Sequence, residues 1–518
     1  MKINNKTLFI ISTIVVLLIL AINIESIIAL IRPGSEVWVH IRDNLLWEYT
    51  RNTVLVIFFS MLFSGIIGTV AAYFVSCFDF PFRKPLSVLL YLPLAIPPYV
   101  NAYVFTDILG PFGFFHNNFG IIVRTSPFWL AVMVFTLSLF PYVYIGVKAF
   151  LSHGMTSYIE NARLMRKNDR QIFFTVILPI AKMAIFTGMI LVGLEVMGDF
   201  AASHYLGVNT FSTAIFRSWI AFRDFDSALR LSGLAIVFVF SLLILKGLAL
   251  RSQYRNATTA KSSQIRRKKL SGVNAVLPIA IPSLMVIASL AFPLHRLITW
   301  AIMSFRNVRY AEMASMIFNS IAISLLVTLI ILIIALVIAT YTRTSSKFAA
   351  TLYGKTTLIS YALPGAVVAM VTLFFFIRID SWLGISLTTT IAMLIVGYTI
   401  RYLGIAYENI SDGYKKLGKK HHEASRTLGK GYYKSILKVD IPMLKPFIIS
   451  GMALVFIDLI KELPLTLVLR PFNFNTLATQ VYQYASDEML AESAVPSLII
   501  IAISMVFIAI ILRTKRSR

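Results

Sequence analysis

Charge is scarce in this 518-residue chain. Asp, Glu, Lys and Arg make up 14% of it, against roughly a quarter in soluble proteins. That scarcity excludes a water-soluble enzyme or binding protein. Acidic charge is scarcer still: 23 Asp and Glu stand against 48 Lys and Arg, a net charge of +25. Cysteine is nearly absent. Cys77 stands alone, so no disulfide forms within the chain, and no Cys/His cluster has the spacing of a zinc site. What is there is apolar: 58% of residues are hydrophobic and the mean hydropathy is +0.79.

Crossing a bilayer takes about 20 mostly apolar residues in a helix. Such runs lie near 8–31, 52–76, 86–108, 128–151, 183–206 and 228–249. A second set lies near 274–294, 316–341, 356–377, 386–409, 446–468 and 494–512. The first run is too long for the apolar region of a signal peptide and reads as a retained span. The third, 86–108, is interrupted by Pro93, Pro97 and Pro98. Such breaks are tolerated only where protein or a water-filled cavity surrounds them.

Twelve spans put both termini on one side. With the termini in the cytoplasm, most of the 48 basic residues fall on that side, as the positive-inside rule requires. The densest segments are 246–270, 411–445 and the tail from Arg513 to Arg518. The excess of basic charge thus reports topology, with anionic lipid as an unspecific partner and no need of nucleic acid. Arg401 and Lys461 are the basic residues left inside spans.

The chain also repeats itself. Asn52-Thr53 matches Asn319-Ser320, and the segment from Ala95 to Pro98 matches that from Ala362 to Gly365. Glu160 through Pro179 matches Glu423 through Pro442, and Thr213 through Phe216 matches Thr479 through Tyr482. The offsets are 267, 267, 263 and 266 residues. The division is then 1–250, a first half of six spans; 251–272, a basic linker; and 273–518, a second half of six. An even number per half gives both the same orientation, related by an axis along the membrane normal, with a natural translocation path between them.

The longest inside loops fall between the fourth and fifth spans of each half. The second reads Glu423-Ala424-Ser425-Arg426-Thr427-Leu428-Gly429, with Pro442 following. It predicts a short amphipathic helix ended by Gly429 in the left-handed conformation. A second helical segment, Tyr432 to Val439, follows, and Pro442 is expected to open the membrane helix as a first-turn proline.

This pattern resembles the EAA loop of ATP-binding-cassette importer permeases, in which the loop is a coupling helix seated on the ATPase subunit. Residue by residue, the resemblance marks Glu423, Ala424, Ser425, Gly429, Ile441 and Pro442 as ATPase-coupling in the second loop. In the first it marks Glu160, Ala162, Arg163, Leu178 and Pro179. The first loop departs at Asn161, where Ala is expected, and at Arg166, where Gly is expected; Asn168-Asp169 could host the turn instead, since Asn tolerates the left-handed conformation.

Further blocks narrow the likeness: Glu195 to Phe200, His204 to Phe211, Ile215 to Trp219, Lys461 to Pro464, Leu469 to Asn473, Leu477 to Tyr482 and Leu92 to Pro97. They are similar to the fused two-half permeases of ferric-iron importers, over nearly the whole chain apart from the first span and the linker. The resemblance implies an all-α integral membrane protein with the MetI-like fold of type I importers, about twelve transmembrane helices in two parallel six-helix repeats. It also implies a multi-pass protein of the bacterial inner membrane. Its partners would be two copies of a cytoplasmic ATPase, docked around 160–179 and 423–442, and an extracytoplasmic binding protein. No cofactor is expected in this chain, since ATP belongs to the partner subunits.

Charged residues inside spans are costly and usually functional. Glu195 and Asp199 are spaced one helical turn apart in span five, and Asp458 and Glu462 stand at the same offset of 263 in span eleven, with Lys461 between them. Each pair should project from one face of its helix, and the repeat axis would turn the faces together as a pathway lining or gate. Hard oxygen ligands suit a hard cation. The competing reading is that Lys461 and nearby donors merely neutralise these acids. Pro97, Pro98 and Pro364 are candidate broken-helix positions beside the path, or simple packing kinks. His421 and His422 read as solvated residues of the second loop.

Gly354-Lys355-Thr356-Thr357 imitates the end of a phosphate-binding loop but has Ala349 where that loop needs Gly, amid membrane spans. No nucleotide site is read in the chain. An ion-coupled secondary transporter is the rival of another class. A membrane enzyme is disfavoured because no nucleophile–base or metal constellation appears. Thiamine, polyamine and phosphonate remain alternative substrates.

Overall fold

The computed structural model describes residues 6–110, 113–121, 123–152, 156–251 and 267–516. The chain there is helical apart from turns and one two-residue parallel pairing, Phe78-Asp79 with Lys268-Lys269. Most of the linker, 252–266, lies outside the described residues.

Among the described residues, eleven helices are long and apolar enough to cross a membrane, and one bent pair brings the number to twelve. The first half contributes Lys6–Ala29, Glu36–Cys77, the pair Arg83–Ala95 and Pro98–Phe119, Pro127–Ser152, Asp169–Gly198 and Phe225–Leu245. The second contributes Gly272–Ser304, Tyr310–Thr344, Gly365–Leu383, Ile391–Leu417, Tyr432–Ile460 and Ala494–Arg513. Ile14, Leu17, Phe318 and Ile333 are among the large apolar side chains exposed on these spans, as expected where lipid is the solvent.

Two expected spans break at the candidate broken-helix positions, Pro97-Pro98 and Pro364, and two others are corrected in extent. The third is two helices bent by 97° at Ile96-Pro97, because Pro97 and Pro98 donate no N–H and fix an extended turn. The ninth does not run through 356–377; one helix ends at Ala362 and another begins at Gly365 after Pro364. Spans five and eleven stop at Gly198 and Ile460, each followed by a break and a short helix, Ala201–Tyr205 and Pro464–Leu469.

Spans two, four and five of the first half pack together, as do spans eight, ten and eleven of the second. Glycines permit the close approach: a Cβ on Gly68 would lie 2.8 Å from Phe140 O, and one on Gly188 would lie 2.7 Å from Val143 Cα. The halves then exchange their outer helices. Lys6–Ala29 lies against Tyr310–Thr344 and Gly365–Leu383, while the helices of Gly272–Ser304 lie against the second and third spans of the first half. The two-fold repeat thus becomes one interlocked bundle with the broken helices at its centre.

Candidate translocation site and coupling loops

Each half places a helix–turn–helix before its fifth span. The first helices are Thr156–Leu164 and Lys420–Thr427. Each ends in the same pair of backbone bonds. Arg166 N–H bonds Arg163 O and Lys167 N–H bonds Ala162 O; 263 residues on, Gly429 N–H bonds Arg426 O and Lys430 N–H bonds Ser425 O. This is the Schellman termination, which needs a left-handed residue. Gly429 supplies it with φ 82°, as expected, and Arg166 supplies it with φ 56°. The expected turn at Asn168-Asp169 is therefore corrected: Asn168 is extended (φ −74°) and forms a capping box with Gln171.

The next correction concerns the prolines. The following helices run without interruption as Asp169–Gly198 and Tyr432–Ile460, so Pro179 and Pro442 do not open them. Each instead follows a five-residue π turn, Phe173–Ile177 or Ile436–Asp440, closed by Leu178 N–H on Phe173 O or Ile441 N–H on Ile436 O. A third π turn, Ile287–Ala291, is likewise followed directly by Phe292-Pro293. A proline ring crowds the carbonyl four residues back, and a wider turn accommodates it without ending the helix; a fourth π turn, Ile41–Leu45, forms with no proline after it.

Of the expected coupling residues, Glu160, Glu423, Ala424, Gly429, Pro179 and Pro442 are exposed; Arg163, Leu178 and Ile441 are half-buried. Ala162 and Ser425 face inward, and Ser425 Oγ lies 2.9 Å from Ser435 Oγ. Sequence reading passed over Met165 and Leu428, apolar side chains at equivalent positions and 73% and 82% exposed at the turns. An apolar residue beside the turn in an otherwise basic loop was the available signal. His422 is corrected as well. It is buried, with Nδ1 2.7 Å from Asp440 Oδ2, and Arg343 Nη1 lies 3.2 Å from the same oxygen.

The second constellation is a central cavity lined from both halves. Glu195, Asp199, Asp458, Lys461, Glu462, Pro97 and Pro98 all line it, together with Tyr99, Tyr142, Tyr361, Arg401 and Tyr402. Pro364 stands just behind, its Cα 3.9 Å from where a Cβ on Gly198 would sit. The acids are not continuous i, i+4 pairs, because the helix ends between the members of each pair. Beyond the break, Asp199 Oδ1 accepts Ala202 N–H at 2.8 Å and Glu462 accepts Leu465 N–H at 3.2 Å. Each caps the short helix that follows, 263 residues apart.

The remaining partners differ between the halves. Glu195 Oε1 accepts from Tyr142 Oη (3.2 Å) and Tyr361 Oη (3.1 Å), whereas Asp458 pairs with Lys461 Nζ at 2.8 Å. Arg401 Nε lies 4.0 Å from Glu462 Oε1, and its Nη1 donates to Leu363 O. Arg401 stands where the first half has Ser138, so the second half alone brings a guanidinium to its capping acid. Tyr142 and Tyr361 were missed because tyrosine in an apolar run carries no local sign of a carboxylate partner.

The repeat extends outward in one more pair of contacts. Phe211 N–H bonds Thr53 Oγ1 and Leu477 N–H bonds Ser320 Oγ, at 3.0 and 2.8 Å. These residues begin matched short helices whose capping boxes are Thr210 with Thr213 and Thr476 with Thr479. The Asn52-Thr53 and Asn319-Ser320 match is thereby given a physical cause.

Residues 64–254 and 332–515 each match the model of the binding-protein-dependent transport system inner membrane component. The chain belongs to that family. This permease is 24% identical over 464 residues to the Fe(3+)-transport system permease protein FbpB 2 of Haemophilus influenzae, covering 88% of each chain. It is 24% identical over 218 residues to the sulfate transport system permease protein CysT of Escherichia coli, covering 41% of this chain and 78% of that one. With the molybdenum transport system permease protein ModB of Escherichia coli the figures are 27% over 162 residues, 30% and 70%. It is a multi-pass membrane permease of two MetI-like halves, of a family of transporters and not of enzymes.

Proposed function

We propose that this permease supplies both membrane halves of an ATP-binding-cassette importer and that its substrate is ferric iron. The observation that carries the substrate is the charge of the cavity: Glu195, Asp199, Asp458 and Glu462 stand against Arg401 and Lys461. Two more acids than bases favour a cation and oppose a sulfate or molybdate dianion. The full-length likeness to an Fe(3+) permease supports the same reading, while the half-length likenesses concern oxyanions.

In this reading the loops of 160–179 and 423–442 dock two separate ATPase subunits, with Met165 and Leu428 as apolar anchors and ATP held by those subunits. Both termini and the basic loops face the cytoplasm of a bacterial cell, in contact with anionic lipid, and a binding protein delivers substrate from outside. Closure of the ATPases would switch the cavity between outward- and inward-open states.

The test is reconstitution of the permease in vesicles with its ATPase and binding protein. ATP-dependent uptake of ferric iron is expected, and none of sulfate or molybdate. Transport by the permease alone, without an ATPase, would favour the secondary-transporter rival and end this reading.

A further inference from the structure

On and beside the short helix Ala201–Tyr205 lies a group of oxygen and imidazole side chains that neither the loops nor the cavity acids account for. His204 Nδ1 and Tyr482 Oη, from opposite halves, are 3.3 Å apart, and His204 is exposed. Tyr205 is half-buried and its ring centroid is 4.5 Å from that of Tyr103. Tyr103 is 1% exposed, and its hydroxyl has no hydrogen-bond partner among the described residues. On its other side the Tyr103 ring lies 6.0 Å from that of Tyr99, which lines the cavity together with Asp199. Tyr205 in turn has Asp107 and Glu488 as charged neighbours.

A buried hydroxyl without a partner is costly and needs a reason. Packing alone does not give one, because the duplicated half fills the equivalent positions without these groups. At the same offsets Tyr103 corresponds to Met370, His204 to Leu467, Tyr205 to Val468 and Tyr482 to Phe216. The scaffold therefore accepts apolar side chains there, and the hydroxyls and the imidazole are surplus to the fold.

We infer that His204, Tyr482, Tyr205 and Tyr103 form an entry ladder that passes a hard trivalent cation from the outer face down to Asp199. The inference rests on the ferric-iron reading above. Phenolate oxygen and carboxylate are hard ligands suited to such an ion. The exposed His204–Tyr482 pair receives it, the unpartnered Tyr103 hydroxyl holds it midway, and Asp199 takes it at the cavity wall. Each phenol that ligates loses its proton to water reached through the exposed end, so entry is linked to proton release. A tetrahedral oxyanion would meet Glu488 and Asp199 on the same route and be repelled, Asp107 being paired with Arg296 at 2.6 Å.

The test uses the complete importer in vesicles and ferric iron presented as its citrate chelate, comparing wild type with Tyr103→Phe, a change that keeps the ring and its packing. Uptake by the variant should fall about tenfold, the lower end of what losing a supporting group costs a metal site. The purified wild-type complex should show the visible charge-transfer band of iron bound to phenolate, and the variant should lose intensity in it. Iron uptake by Tyr103→Phe at the wild-type rate overturns the ladder while leaving iron as substrate. Failure of the wild type to take up iron, with uptake of molybdate instead, overturns the ferric reading itself.

Discussion

Asp199 and Glu462 perform the same backbone task in opposite halves, each accepting the N–H of the residue three further on, Ala202 or Leu465. Their carboxylates face one cavity, so each is a structural cap that also stands where the proposed pathway would run. The two roles separate under amide substitution, which keeps an acceptor oxygen and removes the charge. Asp199→Asn with Glu462→Gln should leave assembly with the ATPase intact and lower cation uptake at least tenfold, the loss expected of about 1.4 kcal/mol of transition-state stabilisation. Alanine at both sites should also cost about 1 kcal/mol of stability per lost cap. Undiminished uptake by the amide pair, measured in vesicles, would remove these acids from the path.

Arg401 makes a sharper prediction. It is the guanidinium within reach of the buried Glu462, and the first half manages with Ser138 at the matched position. Arg401→Ser leaves Glu462 as a buried charge without its cation and should destabilise the permease by about 3–5 kcal/mol. Adding Glu462→Gln removes that charge and should restore most of the loss. Thermal unfolding of the single and double variants in detergent checks the coupling; equal losses in both would show that Arg401 acts only through Leu363 O.

Much of this architecture is legible in the sequence, because an apolar run of span length has few alternatives and a duplication shows itself by constant offsets. Span ends are less legible. Hydropathy continues past Gly198 into Phe200, Ala201 and Ala202, and past Ile460 into Leu463 and Leu465, so water avoidance hides the break that the capping acids create. Burial of His422 depends on Asp440, eighteen residues away and brought back by the turn at Gly429, and no local pattern carries that. Residue preference alone points to Asn168-Asp169 for the turn that Arg166 makes. A preference of about 1–2 kcal/mol yields to the two Schellman bonds that the repeat imposes.

That conflict at Arg166 is measurable. The residue holds φ 56°, a region glycine occupies without strain. Arg166→Gly should therefore raise stability by about 1 kcal/mol, and the reverse change, Gly429→Arg, should lower it by a similar amount. Calorimetry of the purified permease reads both. A loss of stability in Arg166→Gly would mean that the Arg166 side chain contributes more than its backbone costs. Reduced uptake at unchanged stability would assign that side chain to ATPase docking.

Pro179 and Pro442 are expected to set how the loops are aimed. Each follows a π turn that inserts one extra residue into an otherwise continuous helix, and one residue is about 100° of rotation in an α-helix. Proline crowds the carbonyl four residues back, yet Ile41–Leu45 is a π turn with no proline after it and Pro141 and Pro446 lie in regular helix, so whether proline sets these two turns is what the substitutions test. Replacing proline by alanine removes that crowding, and the helix should relax to regular α geometry. The loop would then be rotated by about 100° relative to the membrane span, carrying Met165 or Leu428 away from its present direction. Pro179→Ala and Pro442→Ala should thus fold at least as well as wild type, since alanine is the better helix former, yet lose coupling. In vesicles with the partner subunits, ATP hydrolysis should persist while substrate uptake falls several-fold, and the double variant should be the more severely uncoupled. Uptake and hydrolysis that remain in wild-type proportion in both variants would show that the π turns survive without their prolines, and the orientation of the loops would then have to come from their other contacts, Tyr73 Oη donating to Asp169 O at 3.0 Å in the first and His422 against Asp440 in the second.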